Sequence, residues 1–329
     1  MRSVFFSRFG MNSEARSTKQ EPRTTDHGPR TIPLIVRDHR RTFEENLYVY
    51  AVVSRRSKGV SIGINLNPDK ICNFDCVYCQ VDRTAPPQVR DVDVARLLHE
   101  VEEMIDLVVS GELFEMARFR ETPPALRRLN DLAFSGDGEP TTCPEFLEIV
   151  ESVAAIKRRR GLDRVKLVLI TNATRLHVER VRQVLSVFDA NNGEIWAKLE
   201  AGTEEYYRLV ERTTVPFAQV LTNLREAARG RPIVIQAMFL RMHEQPPSLH
   251  ELNAFCDRLN EVTAAGGRIQ LVQVYTVARV PAESWVTPLS DAEVDAIAAL
   301  VRRRTGLEAE PFYGPGAQED KDAACVPEL

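Results

Sequence analysis

Apolar residues along this chain switch between two spacings. Val60-Ser-Ile-Gly-Ile-Asn-Leu66 alternates apolar with small or polar residues, the period of a strand. From Val92 to Val109, Val94, Leu97, Leu98, Val101, Ile105 and Val108 instead share one stripe, the period of a helix. The same switch recurs down the chain. Strands are predicted at Asp131–Ser135, Val165–Ile170, Glu194–Leu199, Ile233–Leu240 and Ile269–Tyr275. Helices are predicted at Pro144–Arg160, Val178–Phe188, Glu204–Val210, Phe217–Arg229, Leu249–Ala265 and Ser290–Arg304. Pro144 suits a first helical turn, and Ser290 with Glu293 forms a capping box.

Six strand–helix repeats with no hairpin signal predict an α/β fold, a parallel sheet with helices outside. The count suits a partial (βα)6 barrel; periodicity alone also allows an open doubly wound sheet. In both, the site is expected at the C-terminal ends of the strands. The cysteine-rich segment after Leu66, the Ser135–Pro140 turn, Thr171-Asn172 and Glu200-Ala-Gly202 all follow strands directly, so they should converge on one rim.

Outside this region, residues 1–35 are polar and aperiodic and read as a disordered leader, with Met11 an alternative start. Leu47–Val53 reads as an extended lead-in packed on a core domain spanning 36–312, and 313–329 as a tail.

Composition narrows the class. At 329 residues, 43% hydrophobic and 27% charged, the chain suits one globular domain. No apolar stretch is long enough to span a bilayer, and Met1–Arg8 carries no signal-peptide core, so a cytoplasmic location is expected. The net charge of −4 makes no global basic field. The runs Lys157–Arg160 and Arg302–Arg304 end helical patterns and precede glycines, so they read as offsets to helix dipoles rather than an RNA surface.

Of six cysteines, Cys143, Cys256 and Cys325 stand alone, which argues against a disulfide framework. The other three form Cys72-Asn-Phe-Asp-Cys76-Val-Tyr-Cys79. Three soft thiolates this close can hold three corners of an iron–sulfur cube and leave the fourth iron open. The alternative is a zinc knuckle completed by His99 or a distant histidine, but the second short-spaced ligand pair usual for zinc is missing. Phe74 and Tyr78 would shield such a centre, or simply pack in the core.

Other polar positions stand at predicted strand ends. In Ser135-Gly-Asp-Gly-Glu-Pro140 the glycines allow close backbone approach and Glu139 can accept from an ammonium group; the bland alternative is a turn capping the next helix. Lys198 and Glu200 alternate with apolar residues and share a face. Inside a barrel such a pair is partnered or functional; outside it is merely solvated. Gln236 and Met238 also share a face, Met238 reading as core. His243 follows that strand and reads as a substrate contact or a loop residue.

The CxxxCxxC run, with Tyr78 before its third cysteine, resembles the cluster motif of the radical S-adenosylmethionine (radical SAM) superfamily. The resemblance covers about residues 40–312. It implies a partial barrel of that type, a [4Fe-4S] cluster on Cys72, Cys76 and Cys79, and SAM on the open iron. It also implies an electron donor such as a flavodoxin or ferredoxin, and a 5′-deoxyadenosyl radical that takes hydrogen from a substrate. Ser135–Pro140 is similar to the family's Gly-Gly-Glu-Pro segment, which receives the SAM amino group. Gly138, Glu139 and Pro140 carry over, while Asp137 replaces the first glycine. Asn172 stands in a segment similar to the family's Thr-Asn-Gly turn, and Lys198 and Glu200 stand where members contact SAM.

Asn67-Pro-Asp69, Phe134–Thr142 and Lys198–Thr203 look like a bacterial group related to wyosine-base-formation enzymes. Those enzymes condense a transfer-RNA guanosine with pyruvate, using a lysine and a second cluster. A tRNA base is therefore one candidate substrate, and Lys198 a Schiff-base candidate if burial lowers its pKa. This chain departs from that group in having no second cysteine cluster. Two further readings stand: an activase that places a glycyl radical on a partner protein, and a non-catalytic zinc or iron–sulfur module.

Overall fold

The apolar runs become strands of one eight-stranded sheet in the computed structural model, which describes residues 43–314. Its strands are β1 (Val49–Ser54), β2 (Gly59–Ile64), β3 (Leu129–Phe134), β4 (Lys166–Thr171), β5 (Gly193–Lys198), β6 (Ile233–Met238), β8 (Ile269–Tyr275) and β10 (Ala309–Phe312), in that spatial order. From β2 to β10 every neighbour is parallel; β1 pairs antiparallel with β2. The connecting helices are α1 (Val94–Ser110), α2 (Phe146–Arg159), α3 (Glu179–Asp189), α4 (Glu204–Glu211), α5 (Phe217–Gly230), α6 (Leu249–Ala264) and α7 (Asp291–Thr305). Six strand–helix units therefore lead to a final strand, the partial (βα)6 barrel that the pattern predicts.

Strand alternation divides the molecule into two faces. Leu132, Phe134, Leu167, Leu169, Ile195, Ala197 and Ile235 face the helices and join the main core. Ala133, Val168, Trp196 and Val234, one residue out of phase, form a separate cluster on the other face. The sheet curls until its edges meet: Arg55, in the β1–β2 turn, donates to the carbonyl of Tyr313 just beyond β10, and Lys58 pairs with Glu310 at 2.9 Å.

Three expectations change. The lead-in is a paired strand, so β1 and β2 form a hairpin the pattern did not signal. β10 escapes the pattern because it is four residues long and contains Pro311, as suits an edge strand. The predicted strand Ile233–Leu240 breaks in two. β6 ends at Met238, and Leu240–Met242 (β7) pairs antiparallel with Val286–Pro288 (β9) beyond the end of β8.

The helix signals hold closely. Ser290 caps α7 with a complete capping box, and Gly306 closes it at φ 72°. The basic runs are tied locally: Arg159 pairs with Glu102 at 2.7 Å and Arg304 with Asp257 at 2.9 Å. Among the described residues no helix is long and apolar enough to cross a membrane. The leader, Met11, Cys325 and all but the first two tail residues lie outside the described residues.

One buried carboxylate fixes the start of β1. Glu100 of α1 accepts from the backbone N–H groups of Leu47, Tyr48 and Val49 at 3.0, 2.9 and 3.1 Å, and from Arg96 at 3.0 Å. Glu100→Ala would strand those donors. It is expected to cost about 2–4 kcal/mol in urea unfolding; a loss below about 0.5 kcal/mol would show that β1 does not depend on it.

Candidate functional site

The segment between β2 and α1 carries the three cysteines and holds no strand or helix, so its backbone must be satisfied from outside. Asn65, at the end of β2, accepts from the N–H groups of Asn67 (3.0 Å) and Asp137 (3.1 Å) and donates to the Asp137 carboxylate (2.8 Å). Asp137, the departure from the family's first glycine, is thus bound to the base of the cysteine loop. On the other flank, Asn73 accepts from Asn172 and donates to Thr174, both at 2.7 Å. The C-terminus of α4 completes the clamp, its carbonyls of Val210 and Glu211 accepting from Val77 (2.9 Å) and Asp75 (3.1 Å).

The glycines of the next turn serve this same contact. A Cβ on Gly138 would lie 2.2 Å from the carbonyl oxygen of Ile71, and one on Gly136 2.1 Å from Asn65 Oδ1. Glu139 is buried and fully occupied in knitting the turn to β4. Its Oε1 accepts from Thr141 Oγ1 (2.5 Å) and Thr171 Oγ1 (2.6 Å), and its Oε2 from the N–H of Asn172 (2.7 Å). Burial raises its pKa against those bonds. It also caps the short turn Pro140–Thr142, so the bland reading of this motif as a capping turn is met.

A cavity of about 280 Å³ opens inside the curl at the strand ends. Cys72, Cys76, Cys79, Phe74, Tyr78, Gly138, Glu139, Asn172, Lys198, Gln236 and Met238 all line it; Pro140, Glu200 and His243 do not. His243 stacks on Trp285, ring centroids 4.6 Å apart. Gln236 is paired with Gln273 at 2.9 Å.

The thiols are half-buried and free. Burial pushes the Cys72 thiol up, and burial followed by the Glu211 carboxyl pushes Cys76 well up; its Sγ donates to Glu211 at 2.7 Å. Arg83 reaches Cys79 Sγ at 3.7 Å. Thiols held up in this way need a strong cationic centre to become thiolates. Three soft thiol donors lining one cavity are a donor set that fits an iron–sulfur group.

Behind the cysteines lies a buried polar cluster. Lys198 Nζ reaches Glu200 at 3.1 Å, Tyr78 OH at 3.2 Å and Tyr275 OH at 3.4 Å, and sits 4.9 Å from the Tyr78 ring centroid. Burial alone would lower the Lys198 pKa. Glu200, then Tyr275 and Cys76, outweigh it and hold the ammonium well above its ordinary value. The lowered pKa on which the Schiff-base expectation depends is therefore not met. Glu211, which sequence reading missed, has its carboxyl well above the usual range, first through burial and then through contact with Glu200. Nothing in its own segment marked it, since it ends an ordinary helical pattern. Asn65 and Asn67 had left a signal, polar residues at a strand end just before the cysteines. Asp131, also missed, lies inside the curl beside Ser61.

Because Gly138 touches the loop backbone itself, Gly138→Ala should move the cysteines while leaving the sheet intact. Cluster iron after anaerobic reconstitution is expected to fall at least about tenfold with an unchanged circular dichroism spectrum. Full iron in that variant would show that the contact does not set the loop.

Comparison with known proteins agrees with this geometry. The model of the Radical SAM superfamily matches residues 66–243. A UPF0026 protein of Helicobacter pylori is 28% identical over 148 residues, 44% of this chain and 42% of its own. This chain thus spans less than half of that relative's length. Among solved structures, a radical SAM methyltransferase from Sphaerobacter thermophilus superposes with a TM-score of 0.57 at 12% identity, over 82% of this chain and 70% of that one. TYW1 with a lysine-pyruvate adduct bound gives a TM-score of 0.46 at 15% identity, over 75% and 74%. The family match spans more than half of the chain, which therefore belongs to the radical SAM superfamily.

Proposed function

We propose that this chain is a radical SAM enzyme that binds a [4Fe-4S] cluster on Cys72, Cys76 and Cys79 and SAM beside it. One observation carries the reading: the three thiols, the Gly138-Glu139 turn, Asn172 and Lys198 all line a single cavity at the strand ends. When bound, the cluster and SAM supply a 5′-deoxyadenosyl radical that removes a hydrogen atom from substrate. The chain's own residues hold and shield. Asn73 and Asn172 fix the loop, Phe74 packs edge-on against Tyr207 at 6.0 Å, and the turn at 136–138 lines the cavity, where its backbone would receive an ammonium group. Lys198, kept protonated, supplies a fixed positive charge rather than a nucleophile.

For the substrate we propose a tRNA base. The observation in its favour is that Arg55, Arg56, Arg83 and Arg279 line the cavity, a local basic group within a chain of net charge −4. Reduction would come from a flavodoxin or ferredoxin in the cytoplasm.

Reconstituted anaerobically, the protein should hold about four irons and form 5′-deoxyadenosine from SAM with a reductant. Cys76→Ala should lose both. About one zinc per chain with no SAM cleavage would instead support a binding module and sink the enzyme reading. Modified tRNA nucleosides from wild-type and deletion cells should differ by at least one species; an unchanged profile would remove the RNA branch.

A further inference from the structure

Arg56, in the β1–β2 turn, is half-buried and lines the cavity. Its guanidinium lies over the face of the Tyr275 ring, 4.9 Å from the centroid. Tyr275 also lines the cavity, from the end of β8, so the charge is carried inside the curl. Among the described residues Arg56 makes no hydrogen bond and no ion pair. Its neighbours in the lining are engaged. Lys198 pairs with Glu200 at 3.1 Å, Arg55 donates to the Tyr313 carbonyl, and Arg83 reaches the Phe74 carbonyl (3.3 Å) and Cys79. The carboxylates of the lining are engaged as well, Asp131 with Ser61, Asp137 with Asn65, and Glu139 with Thr141 and Thr171. Arg56 is left as a cation without a counterion.

The turn that carries Arg56 is pinned on both sides. Arg55 reaches Tyr313 and Lys58 pairs with Glu310 at 2.9 Å, so the hairpin tip is tied to β10. The ring beneath the guanidinium is held too, its hydroxyl 3.4 Å from Lys198 Nζ. Contact with an aromatic face steadies a guanidinium without supplying an oxygen acceptor. The planar fork of N–H donors therefore stays available for two oxygens of one acid group. A carboxylate or phosphate fits that fork; a cationic group is repelled by it. We propose that Arg56 is an oxyanion anchor, its paired N–H groups donating to a carboxylate or phosphate carried by the substrate. This assignment rests on the cavity being the active site and deepens that reading by naming the charge its substrate brings.

Phenyl phosphate and benzoate are the probes, each a ring bearing an oxyanion, and benzamide is the neutral control. The readout is the melting temperature of the full chain, with ionic strength matched by sodium chloride so that general screening cancels. At least one oxyanion probe is expected to raise the wild-type melting temperature by at least about 2 °C, and benzamide to leave it unchanged. A shift with phenyl phosphate alone assigns the anchor a phosphate, and a shift with benzoate alone a carboxylate; both uphold it. Arg56→Gln should abolish the shift. Arg56→Lys should keep part of it, since the charge remains without the fork. Arg225→Gln, on α5 and outside the cavity lining, should keep all of it. No shift in wild type, an equal shift with benzamide, a shift that survives Arg56→Gln, or one lost in Arg225→Gln would each overturn the proposal. So would an Arg56→Gln chain that melts more than about 3 °C below wild type, since the contact with Tyr275 would then be a structural brace. Binding of SAM to the reconstituted protein separates substrate from cofactor. Its affinity should be the same in Arg56→Gln, and a loss of about tenfold would overturn the proposal by giving Arg56 to the SAM carboxylate. SAM cleavage by the reconstituted wild type reads the cavity's function separately: its absence with a probe shift intact would overturn the enzyme reading alone.

Discussion

A loop without secondary structure must borrow its geometry, and for the cysteine loop three side-chain amides lend it. Asn65 and Asn73 bond across to Asp137, Asn172 and Thr174, so the cysteine loop, the β3 turn and the β4 turn are tied together. Amides suit the task because each offers donors and an acceptor at once, with no charge to desolvate. The C-terminal carbonyls of α4 close the remaining side. The glycines at 136 and 138 follow from this arrangement: two backbones lie too close for a Cβ between them.

The two faces of the sheet divide the labour. The outer face buries branched and aromatic side chains against the helices, and that area supplies stability. The inner face carries Ser61, Asp131, Lys198, Gln236, Gln273 and Tyr275, which no ordinary core would choose. Most are paired there, Lys198 with Glu200 and Gln236 with Gln273. For Lys198 and Glu200 the pairing offsets part of the desolvation cost of burying the charges.

The cluster around Lys198 also shows how neighbours override burial. A lone ammonium in that position would lose its proton readily. Set among Glu200, Tyr275 and Cys76 it keeps it. The same crowding, after burial, raises the Glu211 carboxyl well above the usual carboxylate range beside Glu200.

The sequence by itself determined the element order, the strand–helix alternation and the grouping of Cys72, Cys76 and Cys79 in one loop, because period and spacing are local properties. Six of the sheet's eight strands were legible within a residue or two. For β1 the extended run was legible but its pairing was not, and β10, whose parallel partner β8 lies more than thirty residues away, was missed. The same limit governed the site. Cys72, Glu139 and Asn172 stood at predicted strand ends and did converge on one cavity. Glu211 and Asp131 looked like ordinary helix-end and strand residues, and their meaning came from what the fold packs against them. Only the tertiary structure decided that Lys198 is set among Glu200, Tyr275 and Tyr78, that the glycines answer to the cysteine loop, and that Asp131 is buried beside Ser61. Those are properties of distance between segments, which a linear pattern does not encode.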